Sequence, residues 1–116
     1  MDLGVKGKVA IITGGSDGIG RAAAERLSAE GALVALVSRT QANLDVTAKE
    51  ISDITGNEVI GIGTDVRSEA AVESMVEAVV SRWGRVDILV NNAGTSSFAR
   101  FEKMTNEQVE DDFTLK

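Results

Sequence analysis

The feature that most limits what this chain can fold into is an alternation between two hydrophobic periods. Four short apolar runs stand out: Val9-Ala10-Ile11-Ile12, Leu33-Val34-Ala35-Leu36-Val37, Val59-Ile60-Gly61-Ile62 and Val86-Asp87-Ile88-Leu89-Val90. The second run has no polar alternation and the first has little, the pattern of a strand covered on both faces by helices. Between the runs the period lengthens. Ile19, Ala23 and Leu27 predict one apolar helical stripe, and Leu44, Ala48 and Ile51 predict a second. Val72, Met75, Val76, Val79, Val80 and Trp83 follow the i, i+3, i+4, i+7 spacing of a third. Gly31, Gly56 and Gly84 sit where these helices should end, and glycine tolerates the left-handed C-terminal cap. Thr105 with Gln108 reads as a capping box opening a fourth helix.

The order is βαβαβαβα. Parallel strands joined by helices need crossovers, which are right-handed in nearly all proteins. The expected fold is a doubly wound α/β parallel sheet of strand order 3-2-1-4, a single unit over residues 1–116. The pattern stops within or soon after the fourth helix, which leaves the fold incomplete at its C-terminus. The fourth strand is then an edge unless another element covers it.

Composition narrows the chemistry. The net charge of −6, without a basic cluster, makes the chain a poor candidate for gripping the phosphates of nucleic acid. With no cysteine and no histidine, the chain lacks a thiol nucleophile, a cysteine-ligated metal and the commonest general base. No apolar stretch is long enough to span a bilayer, and the first residues, Met1 to Lys8, lack a secretory apolar core. A cytoplasmic protein with neither membrane nor nucleic-acid partners is expected.

Thr13-Gly14-Gly15-Ser16-Asp17-Gly18-Ile19-Gly20 lies between the first strand and the first helix. Glycine there permits a tight turn and close backbone approach to a ligand. The helix start offers unpaired N–H groups and the positive end of a dipole, a seat for a pyrophosphate. The spacing is neither G-x-G-x-x-G nor a P-loop.

It is T-G-x-x-x-G-x-G, and here the chain resembles the short-chain dehydrogenase/reductase family. Asn91-Asn92-Ala93-Gly94 after the fourth strand is similar to that family's second signature, and Asp65-Val66 after the third to its adenine-binding dipeptide. The resemblance runs from about Val5 to Lys116 and implies a Rossmann-type fold. It places Gly14, Ser16, Asp17, Gly18, Ile19 and Gly20 around the cofactor's ribose and pyrophosphate. Asp65 and Val66 are implied at the adenine, and Asn92, Ala93 and Gly94 along the nicotinamide-side ribose. Asn91 and Thr13 are expected to tie strands together, and Asp87 to be a solvated strand-end charge without a catalytic role.

The residue ending the second strand chooses the dinucleotide. An NAD enzyme of this kind carries an acid there for the ribose 2′-hydroxyl. This chain has Ser38, then Arg39, whose guanidinium suits a 2′-phosphate. NADP(H) is expected over NAD(H). Asp17 argues the other way, since a carboxylate near a 2′-phosphate repels it unless Arg39 shields the charge.

The family's catalytic tyrosine and the lysine four residues after it are missing, for the chain has no tyrosine. Ser96 and Ser97 follow the second signature too closely to be the catalytic serine. Lys116, preceded by Phe113-Thr114-Leu115 in the fourth helix, aligns with the family's helix asparagine and departs from it. Phe98, Phe101 and Met104 either edge a substrate entrance or pack in a core. The resemblance therefore implies the cofactor-binding half of an NAD(P)(H)-dependent oxidoreductase acting on a small carbonyl or alcohol substrate, a homo-oligomer when complete. The alternatives are a non-catalytic nucleotide-binding or sensor module completed by a partner and, less well supported, a methyltransferase half. The latter needs an acid where Ser38-Arg39 stands.

Overall fold

The computed structural model describes residues 4–15 and 18–92, together with the backbone of residues 113–115. Strand β1 (Val9–Thr13) is followed by helix α1 (Gly18–Ala29), strand β2 (Leu33–Ser38), helix α2 (Gln41–Thr55) and strand β3 (Val59–Gly63). Helix α3 (Glu69–Trp83) and strand β4 (Ile88–Val90) follow, and β5 (Phe113–Leu115) comes last. All pairings are parallel, in the order β3-β2-β1-β4-β5. The expected 3-2-1-4 arrangement is present.

The unbroken apolar runs are explained by two cores. On one face Ala10, Ile12, Val34 and Leu36 pack with Ala24 and Leu27 of α1 and with Leu44, Ala48 and Ile51 of α2. On the other, Val9, Ile11, Ala35 and Val37 pack with Val72, Met75, Val76 and Val79 of α3. Each strand residue faces one helical layer or the other, so no position in β1 can be polar-out and every residue of it is buried. Gly56 and Gly84 close α2 and α3 at φ 75° and 81°, each returning its N–H to the preceding turn. A side chain at either φ would be strained.

Three expectations are corrected. The buried face of α1 is Gly20, Ala24, Leu27 and Ser28, while Ile19 is 76% exposed. The helix is rotated because Gly20 must lie against the turn before it. Asp87 is buried rather than solvated. Its Oδ2 accepts the Val9 N–H at 2.8 Å and its Oδ1 accepts from Arg85 Nε at 2.9 Å, so it anchors the base of β4 to β1. Phe113-Thr114-Leu115, expected in a helix, forms β5 and pairs with Ile88-Leu89-Val90. An aromatic and a β-branched residue suit a strand, and the pairing covers the edge that β4 would otherwise present. The capping box at Thr105 and Gln108, Ser96 and Ser97, Phe98, Phe101 and Met104, and Lys116 lie outside the described residues.

Candidate functional site

The C-terminal ends of β1, β2, β3 and β4 share one edge of the sheet, and the described candidate residues gather there. Just beyond β1, Gly14 adopts φ +68° and donates its N–H to Val37 O at 2.7 Å, joining the turn to the end of β2. The glycines then divide by task. A Cβ on Gly20 would stand 2.2 Å from Gly14 O, and one on Gly15 would stand 2.8 Å from Leu36 Cδ2. Both are required by packing. Among the described residues a Cβ on Gly18 would meet nothing within 4 Å, so that glycine faces open space among them at the first residue of α1. The first N–H groups of a helix have no intrahelical partner. Among the described residues, none accepts from Gly18 or Ile19. Ser16 and Asp17 lie outside the described residues.

Strand β4 is held against the same turn. Thr13 Oγ1 donates to Val90 O at 3.4 Å and accepts the Asn92 N–H at 3.0 Å. Asn92 Nδ2 lies 3.5 Å from Gly14 O and would meet a Cβ on Gly14 at 3.0 Å. Thr13 thus ties the end of β1 to the end of β4 through Val90 O and the Asn92 N–H. Among the described residues no donor reaches the buried Asn91 Oδ1. Ala93 and Gly94 lie outside the described residues.

The ends of β2 and β3 form the other half of the cluster. Ser38 O accepts the Thr64 N–H at 2.6 Å, which sets Arg39 and Asp65 side by side. Arg39 is exposed, while Val66 is half-buried and packs on the α3 core. Asp65 is gripped by Arg67: Oδ1 accepts from the backbone N–H and from Nε, both at 3.0 Å, and Oδ2 accepts from Nη2 at 3.1 Å. The Arg67 guanidinium, then its backbone N–H and, more weakly, the charge of Arg39 lower the Asp65 carboxyl to about 2. At the start of α2, Gln41 spans the outer edge of β3. It donates to Gly61 O at 2.8 Å and accepts the Gly63 N–H at 2.6 Å, so its amide replaces a missing strand partner.

Sequence reasoning did not single out Gly15, Gln41 or Arg67. Gly15 is decided by a contact from the neighbouring strand, and Gln41 by the edge it happens to meet. Arg67 had a local signal in the Asp65-Val66-Arg67 spacing, since an Asp commonly binds backbone two residues on. An open groove of about 620 Å³ lies elsewhere, between α2, β3 and α3, with Asp45, Lys49 and Arg82 in its wall. No candidate residue lines it.

A parallel sheet of this order, helices on both faces and a glycine turn at the first crossover define a Rossmann-like α/β fold, whose ligands sit outside the carboxyl ends of the strands. The short chain dehydrogenase profile matches residues 8–115, and the chain belongs to that family. Among curated proteins it is 40% identical over 109 residues to the 3-oxoacyl-acyl-carrier-protein reductase of Escherichia coli strain K12, covering 94% of this chain and 43% of that protein. Among solved structures, L-sorbose reductase from Gluconobacter frateurii, complexed with NADPH and L-sorbose, superposes with a TM-score of 0.77 at 46% identity. That match covers 82% of this chain and 36% of the other. NAD+-bound xylitol dehydrogenase superposes with a TM-score of 0.74 at 37% identity, covering 78% and 35%. The chain thus spans less than half the length of the curated relatives it matches. Among the described residues, no helix is long and apolar enough to cross a membrane.

Proposed function

We propose that residues 1–116 form the cofactor-binding half of an NAD(P)(H)-dependent oxidoreductase that interconverts a small carbonyl compound and its alcohol. The observation that carries this reading is the division of labour in the glycine turn. Gly14, Gly15 and Gly20 are needed to build it, whereas Gly18 leaves open space beside helix N–H groups that have no acceptor among the described residues. A pyrophosphate fits that space, because an anion there meets both the N–H donors and the helix dipole. When bound, the nicotinamide supplies or accepts the hydride.

The chain's own residues supply orientation. Gly14, Ser16, Asp17, Gly18, Ile19 and Gly20 surround the pyrophosphate and adjacent ribose, Asp65 and Val66 the adenine, and Asn92, Ala93 and Gly94 the nicotinamide-side ribose. Ser38 leaves the 2′-position free of a carboxylate and Arg39 meets a 2′-phosphate, which favours NADP(H). Solved relatives are described with NADPH and with NAD+, so the choice falls to this chain's own residues. The proton donor lies in residues beyond these 116, among which there is no tyrosine. The rival reading, a non-catalytic module, expects a partner to cover the fourth strand, and pairing of β5 with that strand favours the half-enzyme instead.

Two measurements test this. The intact mass of the native protein is expected well above 12.2 kDa, with a Tyr-x-x-x-Lys sequence in the additional chain. A mass of 12.2 kDa would overturn the half-enzyme reading. In the protein at its natural length, Arg39→Ala is expected to weaken NADPH binding by about 1–3 kcal/mol, the scale of a charge-assisted hydrogen bond, and to leave NADH nearly unchanged. Equal losses for both would refute the 2′-phosphate assignment.

A further inference from the structure

We propose that Arg67 is a positioning residue for base recognition: it holds the Asp65 carboxylate so that one acceptor position on Oδ2 stays open to the exocyclic amino group of adenine. The inference rests on the assignment of Asp65 to the adenine. An ionised carboxylate offers about four acceptor positions. Arg67 fills the two on Oδ1 with its backbone N–H and Nε, and one on Oδ2 with Nη2. A single position remains.

The grip is local and therefore persistent. Its donors come from the residue two places along, and the segment is anchored at both ends. Ser68 N donates to Asp65 O at 2.9 Å, and the Ser68 hydroxyl caps α3 through the Ala71 N–H at 3.2 Å. On the other side, the Thr64 N–H bond to Ser38 O holds Asp65 beside Arg39. The side chains of Arg67 and Asp65 are 63% and 42% exposed, and such surface pairs add little stability. What the pairing does is aim the carboxylate. A fixed acceptor accepts from an amino group and repels a carbonyl oxygen, so it separates adenine from hypoxanthine. Without Arg67 the carboxylate rotates and is shared with water.

The test is the affinity of the protein at its natural length for NADPH and for its hypoxanthine analogue, nicotinamide hypoxanthine dinucleotide phosphate. The parent is expected to prefer NADPH by roughly tenfold or more, one hydrogen bond to a charged acceptor. Asp65→Ala should abolish the preference. Arg67→Ala and Arg67→Gln should each reduce it by roughly fivefold, while the ratio of NADPH to NADH affinity stays at its parental value. A merely structural role for Arg67 would weaken both ligands equally and leave the preference intact. Parental preference in both Arg67 variants, with its loss in Asp65→Ala, would overturn the proposal and leave the Asp65 assignment standing. Parental preference in Asp65→Ala would overturn the assignment and the proposal with it.

Discussion

Two glycines of one turn should respond oppositely to the same added methyl group. At Gly20 the new Cβ would stand 2.2 Å from Gly14 O and 2.9 Å from Gly14 C. That is about an ångström inside ordinary contact, and the obstacle is backbone, which has no rotamer to escape into. Gly14 in turn is held by its 2.7 Å bond to Val37 O, so relief requires moving the turn off the end of β2 or lifting the start of α1. Overpacking of this kind costs about 1–3 kcal/mol, and Gly20→Ala is expected in the upper part of that range. Gly18→Ala meets nothing within 4 Å among the described residues, at a negative φ. It should leave stability unchanged or raise it by up to about 1 kcal/mol, since alanine loses less backbone entropy on folding than glycine. Its effect falls instead on the ligand, because the methyl group occupies the proposed phosphate seat and removes roughly tenfold or more of NADPH affinity. Urea unfolding and NADPH titration of the two variants separate these effects. Equal destabilisation by both substitutions, or parental stability for Gly20→Ala, would refute the division of roles. Undiminished NADPH binding by Gly18→Ala would refute the seat.

Asp87→Ala should cost at least about 2 kcal/mol in urea unfolding, because it leaves the buried Val9 N–H without an acceptor. Asp87→Asn, which keeps a carbonyl oxygen in place, should recover most of that loss, and equal losses would remove the acceptor role. Asp65 should titrate near pH 2 when followed by carboxyl NMR, and Arg67→Ala should return it towards the ordinary carboxylate range. Because its folded-state value lies below 3.8, the stabilising contribution of Asp65 is present above about pH 4 and disappears as pH falls towards 2.

The order of elements from β1 to β4, the 3-2-1-4 strand order and the inward faces of α2 and α3 were legible in the chain, because each rests on local periodicity and on the crossovers that parallel strands require. Leu44, Ala48 and Ile51 face the core as their spacing predicts, and so do Val72, Met75, Val76 and Val79. The glycine turn was legible too, since left-handed backbone and close approach leave glycine as their mark. What the turn's glycines do was not. Gly15 answers to Leu36 of the neighbouring strand, Gly20 to a carbonyl across the turn, and the rotation this imposes on α1 turns Ile19 outward. Asp87 looked like a strand-end charge, because its partner, the Val9 N–H, is 78 residues away in the chain. The Gln41 bridge to β3 likewise joins residues 20 and 22 apart, a distance that no period encodes, whereas the Arg67 grip on Asp65 spans only two. Local patterning determines which residues form each layer. Which polar groups meet at the edge of the sheet, and hence what that edge can bind, is decided only when the strands lie side by side.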